Sequence, residues 1–341
     1  MNKKTIFKVK WSSPSNIALV KYWGKFGVQL PCNPSISFTL KNSFTTLSLE
    51  VLENGAPGFE FIFEGKSNQK FQEKIAKFLS TQTYRFSWLD SYYLKIESSN
   101  TFPHSSGIAS SASSMSALCL AIMSADEFIT NKKYSTEEFY QLSSQLSRLA
   151  SGSASRSVYP GLASWGETEA IVNSTNEYAS AYTSAHSLFT NYCDSIIIVD
   201  ANEKSVSSRI GHSLMESHPF KQQRFAQGRA NLTRLISALE SGDLNTFIDV
   251  VEEEAMTLHA LMMTSRPSYI LLHPESLRII AEIRAFREKE RIPACFTIDA
   301  GPNIHLLYPK VHAKRVREFI AEKFNGLNCI HDEVGMGPVK F

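Results

Sequence analysis

The chain lacks the marks of several large protein classes. Its five cysteines (Cys32, Cys119, Cys193, Cys295, Cys329) are odd in number, far apart and never arranged as Cys-x-x-Cys. That pattern excludes a disulfide framework and a thiolate zinc site, and fits free thiols in a reducing compartment. The nine histidines show no metal-ligand spacing on one helix face. Charge of one sign is also missing: the formal net charge is only +2, so no overall field points to nucleic acid or a membrane surface. Lys3 and Lys4 are followed only by Ile6 and Phe7 before Lys8, which gives no signal-peptide core. No apolar run approaches the ~18 residues of a membrane span. Internal repeats and low-complexity tracts are absent too. The expectation is a cytoplasmic protein without a nucleic-acid or membrane partner.

What remains is ordinary globular composition, 43% hydrophobic and 20% charged over 341 residues, enough for two domains. The first third reads as strands: Ser35 to Leu40 and Thr45 to Leu52 alternate, Glu60 to Glu64 resembles them, and Tyr92 to Ile96 follows. Met115, Leu118, Cys119 and Ile122 recur at helical spacing, and Ser135 with Glu138 predicts a capping box. Ile196 to Val199 predicts a buried strand that opens a second domain. Amphipathic helices around Leu232, Val251 and Ile280 come next, then strands Cys295 to Ile298 and Ile304 to Tyr308 and a closing helix around Phe319. The fold class expected is α+β, with domains 1–190 and 191–341.

Three segments carry chemistry. Pro103 to Ser114 is built from Ser, Gly and Ala and opens an apolar helix. A polyphosphate needs unpaired backbone N–H groups and small side chains at such a helix start. A flexible Ser-rich linker would not run straight into Met115 and Leu118. The segment contains no Gly-Lys-Ser or Gly-Lys-Thr, so it is not a Walker loop. Lys21 and Lys25 flank Tyr22 and Trp23; alone they read as surface lysines, but beside a phosphate cradle they read as its cations. Asp299 follows Phe296-Thr297-Ile298 and precedes Ala300-Gly301, which places a carboxylate at a strand end. There it either caps a turn or faces a substrate hydroxyl. Ser151 to Ser157 adds small residues and Arg156, and Ser207-Ser208-Arg209 adds a further arginine; each could equally be a plain loop or helix start. Together these parts point to phosphoryl transfer onto a small molecule.

In this order the segments closely resemble the mevalonate diphosphate decarboxylases of the GHMP kinase superfamily. The resemblance rests on Asn16 to Lys25 with Leu30-Pro31 and Asn33, Phe102-Pro103 through Gly107 to Ala112, Gly152 to Ser157, and Phe296 to Asn303. Ser207-Ser208-Arg209 and His259-Ala260 also fall where the family has similar residues. The resemblance implies a two-domain GHMP-kinase-like fold, residues 1–190 binding ATP, with the active site in the cleft between domains. It implies ATP and Mg²⁺ at Ser110 and Ser111, the nucleotide loop at Ser106, Gly107 and Ala109, and Ser99 and Asn100 nearer the nucleoside. Tyr22, Lys21, Lys25, Ser153, Ser155, Arg156 and Arg209 would hold the substrate's carboxylate and phosphates, and Asp299 would sit at its tertiary hydroxyl. Asp299, Arg156 and Lys21 are the implied catalytic set, and a homodimer the implied assembly. The implied reaction phosphorylates the 3-hydroxyl of mevalonate 5-diphosphate, then loses phosphate and CO₂ to give isopentenyl diphosphate. Departures are Phe26-Gly27 where Arg-Asp often follows, Pro34 for a serine, and His104-Ser105-Ser106 for Thr-Ala-Ala. These leave open a phosphomevalonate decarboxylase or another GHMP small-molecule kinase, and beside them a binding module without activity.

Overall fold

The computed structural model describes residues 4–53, 55–103, 108, 110–202 and 206–341. In chain order the first strands are β1 (Lys4–Val20), β2 (Lys25–Phe26), β3 (Leu30–Pro31), β4 (Ser35–Glu53), β5 (Gly58–Phe63) and β6 (Lys66–Ser67). Helix α1 (Gln69–Ser80), β7 (Tyr93–Asn100), α2 (Ser110–Thr130), α3 (Thr136–Ala150), β8 (Leu162–Trp165) and β9 (Ala179–Tyr182) follow. After them come β10 (Tyr192–Ile198), α4 (Ser208–Leu214), α5 (Lys221–Ser241), α6 (Leu244–Thr264) and α7 (Pro274–Glu290). The chain ends with β11 (Cys295–Thr297), β12 (Ile304–Pro309), α8 (Ala313–Lys323), β13 (Asn328–Glu333) and β14 (Val339–Lys340). The fold is α+β, as the sequence predicts.

Two sheets organise these elements. The larger has the order β14-β1-β4-β7-β5-β6, with β8 paired to β4 and β9 to β8; β2 and β3 form a two-stranded sheet apart. The smaller has the order β11-β12-β10-β13. All pairings are antiparallel except β5 with β7. The last strand, β14, returns to pair with Trp11 and Ser12 of β1 at the edge of the larger sheet.

Strand β4 is continuous where the sequence suggests two strands. Its ladder with β1 jumps from Phe44↔Pro14 to Thr39↔Asn16, so residues 40–43 bulge out. Asp332 replaces the lost ladder bonds: Oδ1 accepts the Lys41 and Asn42 N–H groups and Oδ2 accepts that of Ser43. A carboxylate from β13 thus satisfies a bulge of the larger sheet, which no local pattern in β4 announces.

Helix α2 packs on β1 and β4. Residues Ala112 to Asp126 are all buried, because Ala and Ser faces let neighbouring backbones approach on every side. Its polar groups are paired: Ser116 with Ser13 at 2.5 Å, Ser124 with the Trp11 indole at 3.0 Å, and Asp126 with the Trp88 indole at 3.0 Å. Among the described residues this is the one helix long and apolar enough to cross a membrane, which corrects the expectation that no such stretch exists. With 83% of its apolar window buried, it is the core helix of the larger sheet. Helix α3 starts at the predicted capping box, Ser135 accepting from Glu138 N–H and Glu138 accepting from Ser135 N–H.

Candidate active site

Lys21 leaves the end of β1 with only 3% of its side chain exposed, and its ammonium donates to Asp299 Oδ1 at 2.7 Å. Asp299 follows β11, so one residue from each sheet meets here. The pairing is held from the backbone. Lys21 N–H donates to Glu254 Oε2 at 2.8 Å, while the Lys21 carbonyl accepts from Arg224 and from Asn33 at 3.0 Å. Arg224 and Glu254, on α5 and α6, form an ion pair with side chains 1% and 0% exposed. On the other side His259 Nε2 meets the Asp299 carbonyl at 3.0 Å. A buried ammonium costs solvation, so burial lowers the Lys21 pKa while the Asp299 carboxylate works against that shift.

Arg156 lies in the 3-10 turn Gly152–Val158 that follows α3. It is 2% exposed rather than solvent-facing, and its guanidinium donates to Ser35 Oγ at 2.6 Å and to Asn16 Oδ1 at 3.2 Å. Its carbon sits 5.5 Å from the Tyr22 ring centre. Burial lowers its pKa, opposed by the charges of Tyr22 and Asp299. Both supports are neutral groups, so the cation keeps its charge for a ligand. Ser155 is fully buried and its hydroxyl donates to Gly152 O at 2.8 Å, within its own turn. Ser153 is half-buried, and its carbonyl accepts from Asn16 at 3.0 Å.

Cations gather at a second focus. Lys25, in β2, has its ammonium 5.8 Å from the Tyr22 ring centre. Burial first, then the charges of Arg209 and Lys74, bring its pKa down to about 8. Lys74, on α1, donates to Ser111 Oγ in the first turn of α2. Burial and then Arg209 bring its pKa to about 8 as well. Arg209 stands exposed at the start of α4, whose cap is Ser207 accepting from Ile210 N–H at 3.3 Å. Among the described residues no carboxylate lies within ion-pair distance of these three. Three like charges drawn together without a counter-charge mark a place for an anion.

The start of α2 fits a nucleotide phosphate: its first turn carries no acidic residue, and Ser110 and Ser111 are both half-buried there. Ser106, Gly107 and Ala109, with His104 and Ser105, lie outside the described residues. At the end of β7, Ser99 is exposed, and Asn100 Oδ1 accepts from Thr45 at 2.8 Å. Among the described residues no group of three or more His, Cys, Asp or Glu could hold a metal ion. The hydroxyl oxygens of Ser110 and Ser111 are hard donors of the kind Mg²⁺ takes beside phosphate oxygens and water.

Sequence reasoning missed Lys74, Arg224, Glu254 and His212. Glu254 left a partial trace, since the run Glu252-Glu253-Glu254 interrupts the apolar face of Val250, Val251, Ala255 and Leu258, and the structure buries Glu254 fully. Lys74 left none, because its partner Ser111 is 37 residues away.

The paired sheets and the site residues at strand ends define a two-domain GHMP-kinase-like protein. Residues 13–179 match the diphosphomevalonate decarboxylase-like N-terminal domain, and residues 195–338 the mevalonate 5-diphosphate decarboxylase C-terminal domain. The chain belongs to the mevalonate diphosphate decarboxylase family. It is similar to the Staphylococcus aureus enzyme, with 30% identity, a TM-score of 0.85 and 98% of each chain covered. It is similar to the Enterococcus faecalis enzyme, with 27% identity, a TM-score of 0.84 and 98% of each chain covered. A structure of MDDEF in complex with MVAPP, AMPPCP and magnesium superposes with a TM-score of 0.86 at 28% identity over 98% of each chain. The diphosphomevalonate decarboxylase of Ganoderma lucidum is 27% identical over 97% of this chain and 86% of its own length.

Proposed function

We propose that the protein converts (R)-mevalonate 5-diphosphate and ATP to isopentenyl diphosphate, ADP, phosphate and CO₂. The observation that carries this is the Lys21–Asp299 pair: a carboxylate fixed at 2.7 Å by a buried ammonium. Arg156 sits near enough for its charge to act on Lys21. Asp299 takes or orients the proton of the 3-hydroxyl as that oxygen attacks the γ-phosphorus of ATP. Lys21 keeps Asp299 ionised and in place. Arg156 holds the substrate carboxylate until the C–C bond breaks, when its electron pair forms the alkene as the 3-phosphate leaves. Lys25, Lys74 and Arg209 neutralise the phosphate ends, and Ser110 and Ser111 at the start of α2 take the nucleotide phosphates. Mg²⁺ would supply charge neutralisation at those phosphates.

Lys74 adds a cation that the sequence near Lys25 lacks, and this favours the diphosphate substrate over the monophosphate. Tyr22 and Ser153 complete the substrate wall, with Ser155 shaping the turn behind it; Ser99 and Asn100 stand on the nucleoside side. The division into residues 1–190 and 191–341, with the site in the cleft between them, belongs to the same reading. So do a homodimer and a cytoplasmic location; all five cysteines are free thiols, which suits a reducing compartment.

The test compares kcat/KM for mevalonate 5-phosphate and 5-diphosphate with ATP and Mg²⁺. The expected ratio favours the diphosphate by at least ~10-fold, about 1.4 kcal/mol of transition-state discrimination. A preference for the monophosphate overturns the substrate assignment, and no turnover with either overturns the enzyme assignment.

A further inference from the structure

The turn that carries Tyr22, Trp23, Gly24 and Lys25 is built around a histidine that the reaction itself does not use. His212, on α4, is 7% exposed. Its ring stacks on Tyr22, with centroids 4.8 Å apart and planes at 21°, and it contacts Trp23 at 4.4 Å. Its Nδ1 accepts the Gly24 N–H at 3.1 Å. Gly24 has φ +100°, which glycine adopts freely, and its buried N–H takes this ring nitrogen as its partner. The preceding Gly211 lets α4 approach this closely: a Cβ there would stand 2.5 Å from the Trp23 ring and 2.6 Å from the Tyr269 hydroxyl.

An acceptor at Nδ1 requires a lone pair, so the ring must be the neutral Nε2–H tautomer. The surroundings agree. Burial, and after it the charge of the Lys25 ammonium, holds the imidazole well below its usual range. The other titratable groups around it are the phenols of Tyr22 and Tyr269, with Arg209 earlier in α4 and Glu216 in the 3-10 turn that follows it. No carboxylate contributes to its shift, so nothing there favours the imidazolium.

We propose that His212 is a positioning residue: its neutral imidazole fixes the Tyr22–Lys25 turn and so sets where the Lys25 ammonium meets the phosphate end of the substrate. The inference rests on the reading of Lys25 as a phosphate ligand. On protonation Nδ1 becomes a donor facing a donor, the Gly24 bond is lost, and a second cation appears beside Lys25. That loss would loosen the turn, and burial with the Lys25 charge beside it keeps the ring neutral instead.

Two substitutions separate acceptor from ring. His212→Phe keeps a flat ring but removes the acceptor; His212→Asn keeps an acceptor near the Nδ1 position but removes the ring. The expected result at about pH 7.5 is a KM for mevalonate 5-diphosphate raised ~10-fold in H212F, with kcat within about 3-fold of wild type. H212N stays within about 3-fold of wild type on both constants. As pH falls from about 8 to about 5.5, the ratio of the wild-type KM to that of H212N stays constant, because the imidazole remains neutral over that window and substrate ionisation cancels. An unchanged KM in H212F, equal losses in both variants, or a ratio that changes with pH over that window overturns the proposal. Imidazole ¹⁵N NMR reads the tautomer without turnover. A neutral Nε2–H ring is expected near pH 7, and an Nδ1–H tautomer or an imidazolium overturns the proposal even if no mevalonate derivative is consumed.

Discussion

The two charged regions of this site are built on opposite plans. Around Lys21 the opposing charges are matched: the ammonium faces Asp299, the backbone is clamped by Glu254, Arg224 and Asn33, and His259 braces the Asp299 carbonyl. Around Lys25, Lys74 and Arg209 like charges face one another, and both lysine pKa values sit near 8. A matched set is rigid before any ligand arrives, which suits groups that act on a bond. An unmatched set is strained until an anion arrives, which suits groups that bind one. In the proposed function the first region does the chemistry and the second binds the phosphates.

The largest effect is expected where the clamp is broken. Glu254→Ala leaves Arg224 buried without its counter-charge and should destabilise the fold by about 3–5 kcal/mol, read from denaturant unfolding. A loss within experimental scatter would mean that the clamp holds nothing. Next is Asp299→Asn, which keeps shape but removes charge and basicity. Its kcat should fall at least ~10²-fold with KM little changed, and wild-type turnover would reduce Asp299 to a turn residue. Lys25→Met and Lys74→Met should reverse that split. Substrate or nucleotide KM should rise ~10-fold while the unliganded protein melts no lower than wild type, because a repulsion has been removed. A lowered melting temperature with unchanged KM would show the lysines to be structural.

The smallest effect is a pH dependence. Both amines are lowered from 10.5 to about 8 in the fold. Between those values the unfolded chain binds more protons than the native one, so their contribution makes stability rise with pH across that window. It is least favourable below about pH 8, where both native amines are charged. Thermal unfolding of wild type against the K25M/K74M double variant should show a rise confined to the wild type, shrinking when pyrophosphate is bound. Identical pH profiles would remove the unmatched cations from the account.

How much of this was legible in the sequence follows the same divide. Lys21, Lys25, Arg156 and Asp299 stood out because each lies in a short segment of unusual composition. The capping box at Ser135 and the helices α5 to α8 were readable because their signals are local. Strand β1 was not, since Pro14, Ser15 and Asn16 break the usual alternation. Its polar residues are buried only because distant groups receive them, Ser15 at Ile108 O and Asn16 at Ser157 Oγ. Helix α1 has an ordinary amphipathic pattern with no unusual composition, and Lys74 gains meaning only from Ser111 across the fold. In sequence the Gly152–Val158 turn is only a run of small residues around one arginine. Burial against Asn16 and Ser35 is what settles the place of Arg156, and that contact spans more than a hundred residues.

A single-turnover experiment with (R)-mevalonate 5-diphosphate labelled at the carboxyl carbon tests the central claim most directly. With enzyme in excess, ATP and Mg²⁺, the account predicts one labelled CO₂ and one phosphate for every ADP formed. ADP formed without labelled CO₂ would contradict it, leaving a kinase in which the matched region activates a hydroxyl but breaks no carbon–carbon bond.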